Sequence, residues 1–258
     1  MLFNAFRAFI ILLPLLFWAC PGPKSSDDAP SSSTLKATNK AELQRLVQES
    51  LKANKSLNDI DTSSVKDMSA LFKGMASFNS DISEWDTSNV RNMSEMFSGA
   101  KAFNGDISKW NTSQVRSMRD MFKGAEKFEG AENSGSGKES KTSKSLQSGL
   151  SGSVDSGTET TKGLGKWNTA KVTDMSGMFA GAKAFNSDIG GWKLPELIYV
   201  TGMFESAEKF DRPIRWETPK LTHAKDVFKG ATSFNSPVQD WKVPKVEDVS
   251  GMFKGAEK

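Results

Sequence analysis

Asn89 to Trp110 read NVRNMSEMFSGAKAFNGDISKW. The same frame returns as SVKDMSALFKGMASFNSDISEW over Ser64 to Trp85 and as KVTDMSGMFAGAKAFNSDIGGW over Lys171 to Trp192. Tryptophan falls at 85, 110, 167, 192, 216 and 241, in steps of 25, 57, 25, 24 and 25 residues; the long step is one repeat of 25 plus an insertion of 32. Phe72, Phe97, Phe122, Phe179, Phe204, Phe228 and Phe253 hold one position of the frame, and Phe78, Phe103, Phe128, Phe185, Phe210 and Phe234 hold a second. With Trp85, Trp110, Trp167, Trp192, Trp216 and Trp241 they account for 13 of the 17 Phe and six of the seven Trp. Self-similarity at a fixed period of this length marks units that bury their apolar faces by stacking on their neighbours. These aromatics are the expected core.

Inside one unit the residues carry two periods. Val90, Met93, Met96, Phe97 and Ala100 stand at i, i+3, i+6, i+7 and i+10, the spacing of a helical stripe. Asp67, Asn92, Ser117, Asp174 and Asp248 precede it and are suited to capping free N–H groups. Gly74, Gly99, Gly124, Gly181, Gly230 and Gly255 follow the first Phe by two residues, where a positive φ ends a helical turn. The stretch F-N-x-D-I-S-x-W then places Ile82, Ile107 and Ile189 in a short extended segment that pairs in parallel with its copy. The expectation is an α/β solenoid of about seven coils, each a short helix plus a short parallel strand.

Such a stack needs covered ends. Asn39-Lys40-Ala41-Glu42 is a capping-box pattern, and Leu43, Leu46, Val47 and Leu51 follow at helical spacing. They predict a cap helix over Lys40–Lys52 within an N-terminal cap of residues 40–59, ahead of a solenoid over 60–258. At the other end the final unit supplies Val246, Val249, Met252 and Phe253 without the second Phe, the Ile or the Trp. An open edge of that kind predicts weak self-association through the C-terminal coil. Between Ala131 and Lys162, 18 of 32 residues are Ser, Gly or Thr. That segment is expected to be a flexible loop within one coil, across which the stack continues.

The chain has 258 residues, a net charge of +3, one Cys and one His. The charge is no footprint of a nucleic-acid binder, and one Cys and one His make neither an internal disulfide nor a zinc site. Only the first twenty residues, MLFNAFRAFIILLPLLFWAC, are apolar enough to meet a bilayer. The run from Ala8 to Ala19 is short for a spanning helix, contains Pro14, and fits a signal-peptide core over residues 1–19. Cys20 follows a small residue and opens a Pro/Ser-rich tether over residues 20–39, which resembles a bacterial lipoprotein signal with Cys20 as the lipidated N-terminus. An ordinary cleaved signal and an uncleaved anchor are the alternatives.

The unit V-x-x-M-S-x-M-F-x-G-A-x-x-F-N-x-D-I-S-x-W resembles the 25-residue repeat of BspA-like leucine-rich-repeat surface proteins, over about Ile60 to Lys258 apart from the insertion. The resemblance implies an LRR-like, right-handed solenoid of 24–25-residue coils on a bacterial cell surface. It also implies adhesion or host-interaction roles and no enzymatic activity. Leu197 and Leu221 in place of Val, Asp211 in place of Asn, and Pro195, Pro219 and Pro244 in place of Ser depart from the pattern.

Few side chains compete for a site. Asn79/Asp81, Asn104/Asp106 and Asn186/Asp188 carry the oxygens that calcium takes. The simpler expectation is an asparagine ladder between coils with locally capping aspartates. The Trp column could serve as a glycan platform, but its fixed spacing with Phe and Ile fits a core. His223 has no nucleophile at a triad-like spacing. Asp81, Glu84, Asp106, Lys109, Asp188, Arg212, Arg215 and Asp240 mix signs and read as a solvated face. The expectation is therefore a non-enzymatic, surface-exposed lipoprotein without cofactor or metal, contacting an extracellular protein or glycan. The alternative is an envelope-organising lipoprotein that contacts neighbours in its own membrane. A hydrolase with a site assembled across coils lacks the commonest general base.

Overall fold

Asp67 bridges Asn92, Asn92 bridges Ser117, Ser117 bridges Asp174, and the run continues through Tyr199 and His223 to Asp248, every pairing parallel. Each rung joins a residue to its counterpart one repeat later, so the backbone lies as a stack of coils. The computed structural model describes residues 35–130 and 163–256, which lie within one unit, Thr34–Lys258.

The aromatic positions form three columns through this stack. Phe97 lies 5.4 Å from both Phe72 and Phe122, with rings close to parallel. Phe103 lies 5.9 Å from Phe78 and 5.7 Å from Phe128, and Trp110 lies 6.5 Å from Trp85. Such offset stacks add to the burial of the rings themselves. The columns do not stop at the insertion: Phe122 meets Phe179 at 5.6 Å and Phe128 meets Phe185 at 6.2 Å. All of the expected core aromatics are buried except Phe253, in the last described coil, which is 45% exposed. Each indole finds an acceptor one coil back. Trp110 Nε1 donates to Ile82 O at 3.2 Å, Trp167 to Ile107 O at 3.1 Å and Trp192 to Leu164 O at 2.9 Å. The column breaks at Trp241, whose ring stands at 83° to Trp216 and donates to Thr218 Oγ1 instead.

Two expectations about local structure are corrected. The apolar stripe is not a helix: residues 93–100 are overlapping turns, with Met96 N donating to Met93 O, Ser98 N to Glu95 O and Ala100 N to Phe97 O. The left-handed position expected at Gly99 is present, with φ 74°, and a second one precedes it at Glu95, with φ 59°. Two reversals of that kind within five residues prevent a right-handed helix. The ladder is also displaced, because the parallel bridges fall at Asn92 and its counterparts rather than in F-N-x-D-I. In that stretch the asparagine side chains replace backbone pairing between coils. Asn79 Oδ1 accepts from Asn104 N at 2.8 Å and Asn104 Oδ1 accepts from Glu129 N at 3.0 Å.

The turns give the ladder a direction. Glu95, Phe97 and Gly99 donate their amides to Arg119, Met121 and Lys123 of the next coil, at 2.8, 2.8 and 2.7 Å. The carbonyls of Glu95 and Phe97 close turns within their own coil and Gly99 O accepts from Lys101 N, while the carbonyls of Ser94, Met96 and Ser98 accept from the coil before. Within these turns the amides between coils point toward the C-terminal end of the stack, while the flanking Arg91 N and Ala102 N donate back to Lys66 O and Ala76 O. An ordinary parallel strand would send both groups of a residue to the same neighbour.

Helix α1, Lys40–Lys52, buries Leu43, Leu46 and Val47, as the cap reading expects. Asn39 accepts from Glu42 N, whereas the Glu42 carboxylate reaches past Asn39 to Thr38 N at 2.9 Å and Thr38 Oγ1 at 2.7 Å. The cap is shorter than residues 40–59. Leu57 already occupies the Ile position, since Trp85 Nε1 donates to its carbonyl. The tether is shorter too: β1, Leu35–Lys36, pairs in parallel with β2, Ile60–Asp61, and Ala37 is fully buried. The edge of the first coil takes up these residues as a further rung. On either side of the insertion the chain meets again, with Leu164 N donating to Gly130 O at 3.4 Å. Residues 1–19, Cys20 and the insertion 131–162 lie outside the described residues.

Candidate functional site

The surface is built in rows, because each solvent-facing position recurs once per coil. Lys101 pairs with Glu126 at 3.0 Å, Lys183 with Glu208 at 3.0 Å, Lys220 with Glu196 at 2.7 Å and Lys229 with Glu205 at 2.8 Å, and Lys73 pairs with Glu95 in the same manner. Each of these pairs spans two neighbouring coils. Hydrogen bonding to Glu208 and Glu205 raises Lys183 and Lys229 above the ordinary lysine value, and Lys73 and Lys101 lower Glu95 and Glu126. Exposed pairs of this kind are screened by solvent, so they shape the face more than they hold it.

The Asn/Asp positions act locally. Asp81, Asp106 and Asp188 accept from the backbone N–H two residues on, at Ser83, Ser108 and Gly190, at 2.9, 2.9 and 3.0 Å. The hydrogen bond from the Ser83 backbone holds Asp81 below the usual carboxylate range. Asn186 Oδ1 accepts from Asp211 N and Asp211 Oδ1 from Asn235 N, so the substitution at Asp211 keeps the rung. Among the described residues no group of His, Cys, Asp and Glu is arranged to hold a metal ion. Of the mixed-sign positions, Lys109 meets Glu84 at 3.4 Å and Arg212 Nε donates to Asn186 O at 2.9 Å. The indole column lies inside the stack and offers no ring face to a glycan.

One feature escapes the sequence reading. In the row of Asp67, Asn92, Ser117, Asp174 and Asp248, two consecutive coils carry Tyr199 and His223. Their ring centroids lie 4.6 Å apart, Tyr199 is 40% exposed, and His223 Nδ1 meets Thr222 Oγ1 at 2.8 Å. The signal was present, since these are the chain's one Tyr and one His, spaced 24 residues apart. Tyr is among the residue types enriched at the energetic centres of protein interfaces.

Comparison with curated proteins gives no match, and comparison with solved structures gives none. A family model described as "Mycoplasma protein of unknown function, DUF285" matches twice in tandem, at residues 41–147 and 148–258. The junction falls inside the insertion, and the two matches together take in every coil described above. The chain belongs to the DUF285 family, as a protein of two tandem family segments.

Proposed function

We propose that the chain is an exported, non-enzymatic interaction protein, held at the envelope by a lipid on Cys20. Its coils present an extended face to a protein or glycan outside the cell. We read the coil stack itself as an LRR-like, right-handed solenoid, in keeping with the resemblance to BspA-like repeats. One observation carries the functional reading. The Phe side chains of successive coils align inward in continuous columns while polar side chains align outward in rows, and repeat stacks of this build bind through long regular faces. The Tyr199–His223 pair is the anchor on that face.

The experiment is protease shaving of intact cells, followed by a binding screen against extracellular matrix proteins and glycans. Loss of the protein on shaving, with binding weakened by Tyr199→Ala, supports the reading. Protection from protease in intact cells overturns surface display and favours contact within the cell's own envelope. Labelled palmitate entering the wild type and Cys20→Ala alike would remove the lipid anchor.

A further inference from the structure

One row of the surface keeps a single sign. The residue after the buried Val is Lys66, Arg91 and Arg116 in three consecutive coils, and all three are exposed. Their backbones are bonded rung to rung: Arg91 N donates to Lys66 O and Arg116 N to Arg91 O, both at 2.8 Å. Parallel rungs stand about 4.8 Å apart, so three cations leave the stack within about 10 Å. Like charges on neighbouring rungs repel. Among the described residues no carboxylate pairs with them, unlike the Lys/Glu rows. Ser64, Asn89 and Gln114 flank the row on one side, Asn92 and Ser117 on the other, and Asp67 is already met by Lys40 at 3.9 Å. In the next coil Thr173 Oγ1 donates to Arg116 O at 3.1 Å. There Lys171 Nζ donates to the neutral Gln114 Oε1 at 2.7 Å, which adds a fourth positive charge without compensating it.

We infer that this row binds a linear sulfated polysaccharide laid across the coils. The guanidinium forks of Arg91 and Arg116 match paired anionic oxygens, and Lys66 and Lys171 add point charges on the coils to either side. A densely sulfated chain carries several anions per disaccharide and can meet cations on consecutive rungs. An unsulfated uronate chain, with one, is too sparse. The neutral amides and hydroxyls beside the row suit the hydroxyl groups of a sugar. Other polyanionic partners lack their usual contacts here. Single-stranded nucleic acid is held by stacked aromatics, and a membrane surface by apolar side chains inserted beside the charge. Among the described residues the exposed large apolar side chains are Leu35, Tyr199, Val249 and Phe253, and none falls between Lys66 and Lys171. Such a polymer is one ligand for the extended face proposed above, and the assignment rests on that reading.

The test uses the full chain in phosphatidylcholine nanodiscs, with heparin of defined length as the probe. Binding is expected to weaken with salt at a log–log slope of about 3. Arg91→Gln and Arg116→Gln are each expected to lower that slope by about 1. Lys229→Gln removes the same charge from a paired row and is expected to leave affinity and slope unchanged. Native tryptophan fluorescence confirms that the variants fold. Phenylglyoxal labelling, read by mass spectrometry, is expected to show Arg91 and Arg116 protected by saturating heparin and the exposed Arg215 unprotected. An equal loss in Lys229→Gln, or labelling of the two arginines unchanged by heparin, overturns the inference. So does binding of hyaluronan or of a short DNA duplex as tight as that of heparin. Protection of the two arginines by phosphatidylserine in the discs, without heparin, overturns it in favour of a membrane contact. Heparin binding that persists although intact cells shield the chain from protease upholds the row and overturns surface display alone.

Discussion

Gly99 and Ser206 occupy the same place in different coils, at φ 74° and 57°. A side chain in the left-handed region costs about 1–2 kcal/mol, partly offset by the extra freedom glycine has in the unfolded chain. Gly99→Ala is therefore expected to lower stability by about 1 kcal/mol, and Ser206→Gly to raise it by up to about 1 kcal/mol. Urea unfolding followed by tryptophan fluorescence checks both signs. The aspartates that close local turns set the response to acid. Backbone hydrogen bonds from Ser83 and Ser250 lower Asp81 and Asp248, and Ser63 does the same for Asp61, first through its side chain. A carboxylate lowered in the folded state contributes stability that is present above its unfolded value, about 3.9, and is lost as pH falls through its folded value. Urea midpoints are expected to hold from pH 7 to about pH 4 and to fall below it, with a smaller fall in Asp81→Asn. Residue identities were legible here wherever the chemistry is local, as in the asparagine rungs and in the positive φ at Gly99. The Tyr199–His223 contact was not, because it depends on which positions share a row.

The cap helix was legible in its residues, since a polar N-cap followed by apolar positions on one face has few other readings. Removing its N-cap bond by Asn39→Ala is expected to cost about 1 kcal/mol, and Leu46→Ala, at a buried site, about 2–5 kcal/mol. Thermal melts followed by circular dichroism check the pair. The coil segments were misread for a physical reason. Overlapping turns return a side chain to the core every three or four residues, as a helix does, so Val90, Met93, Met96, Phe97 and Ala100 are all fully buried without a helix. The distinguishing sign is glycine within the stripe. Gly177, Gly202 and Gly251 stand where a helix would lose about 1 kcal/mol, and all three have positive φ. Gly177 also lies where a Cβ would run into the Asp120 carboxylate.

At the scale of the molecule, period and ring position were legible in the sequence, and the direction of the ladder was not. Direction depends on which amides the turns leave free, and no residue type announces that. The insertion interrupts the sequence of one coil without interrupting its packing, because Gly130 and Leu164 are hydrogen-bonded and the columns run on from Phe122 to Phe179. Replacing residues 131–162 by a short Gly-containing turn is expected to shift the melting temperature little, since loop closure changes only slowly with loop length. Loss of cooperative melting would mean that the segment packs on the core.

The central claim is that one register runs through both family segments, so that Ser117 and Asp174 are neighbours although 57 residues apart in sequence. Parallel rungs stand about 4.8 Å apart, within the roughly 4.4–6.8 Å that a disulfide spans between Cα atoms. The direct measurement is oxidative crosslinking of Ser117→Cys/Asp174→Cys in a Cys20→Ser background, beside Asn92→Cys/Ser117→Cys within the uninterrupted coils. The account predicts that both pairs close intramolecularly with native tryptophan fluorescence. Closure of the 92/117 pair alone, in a protein that is folded, would contradict it.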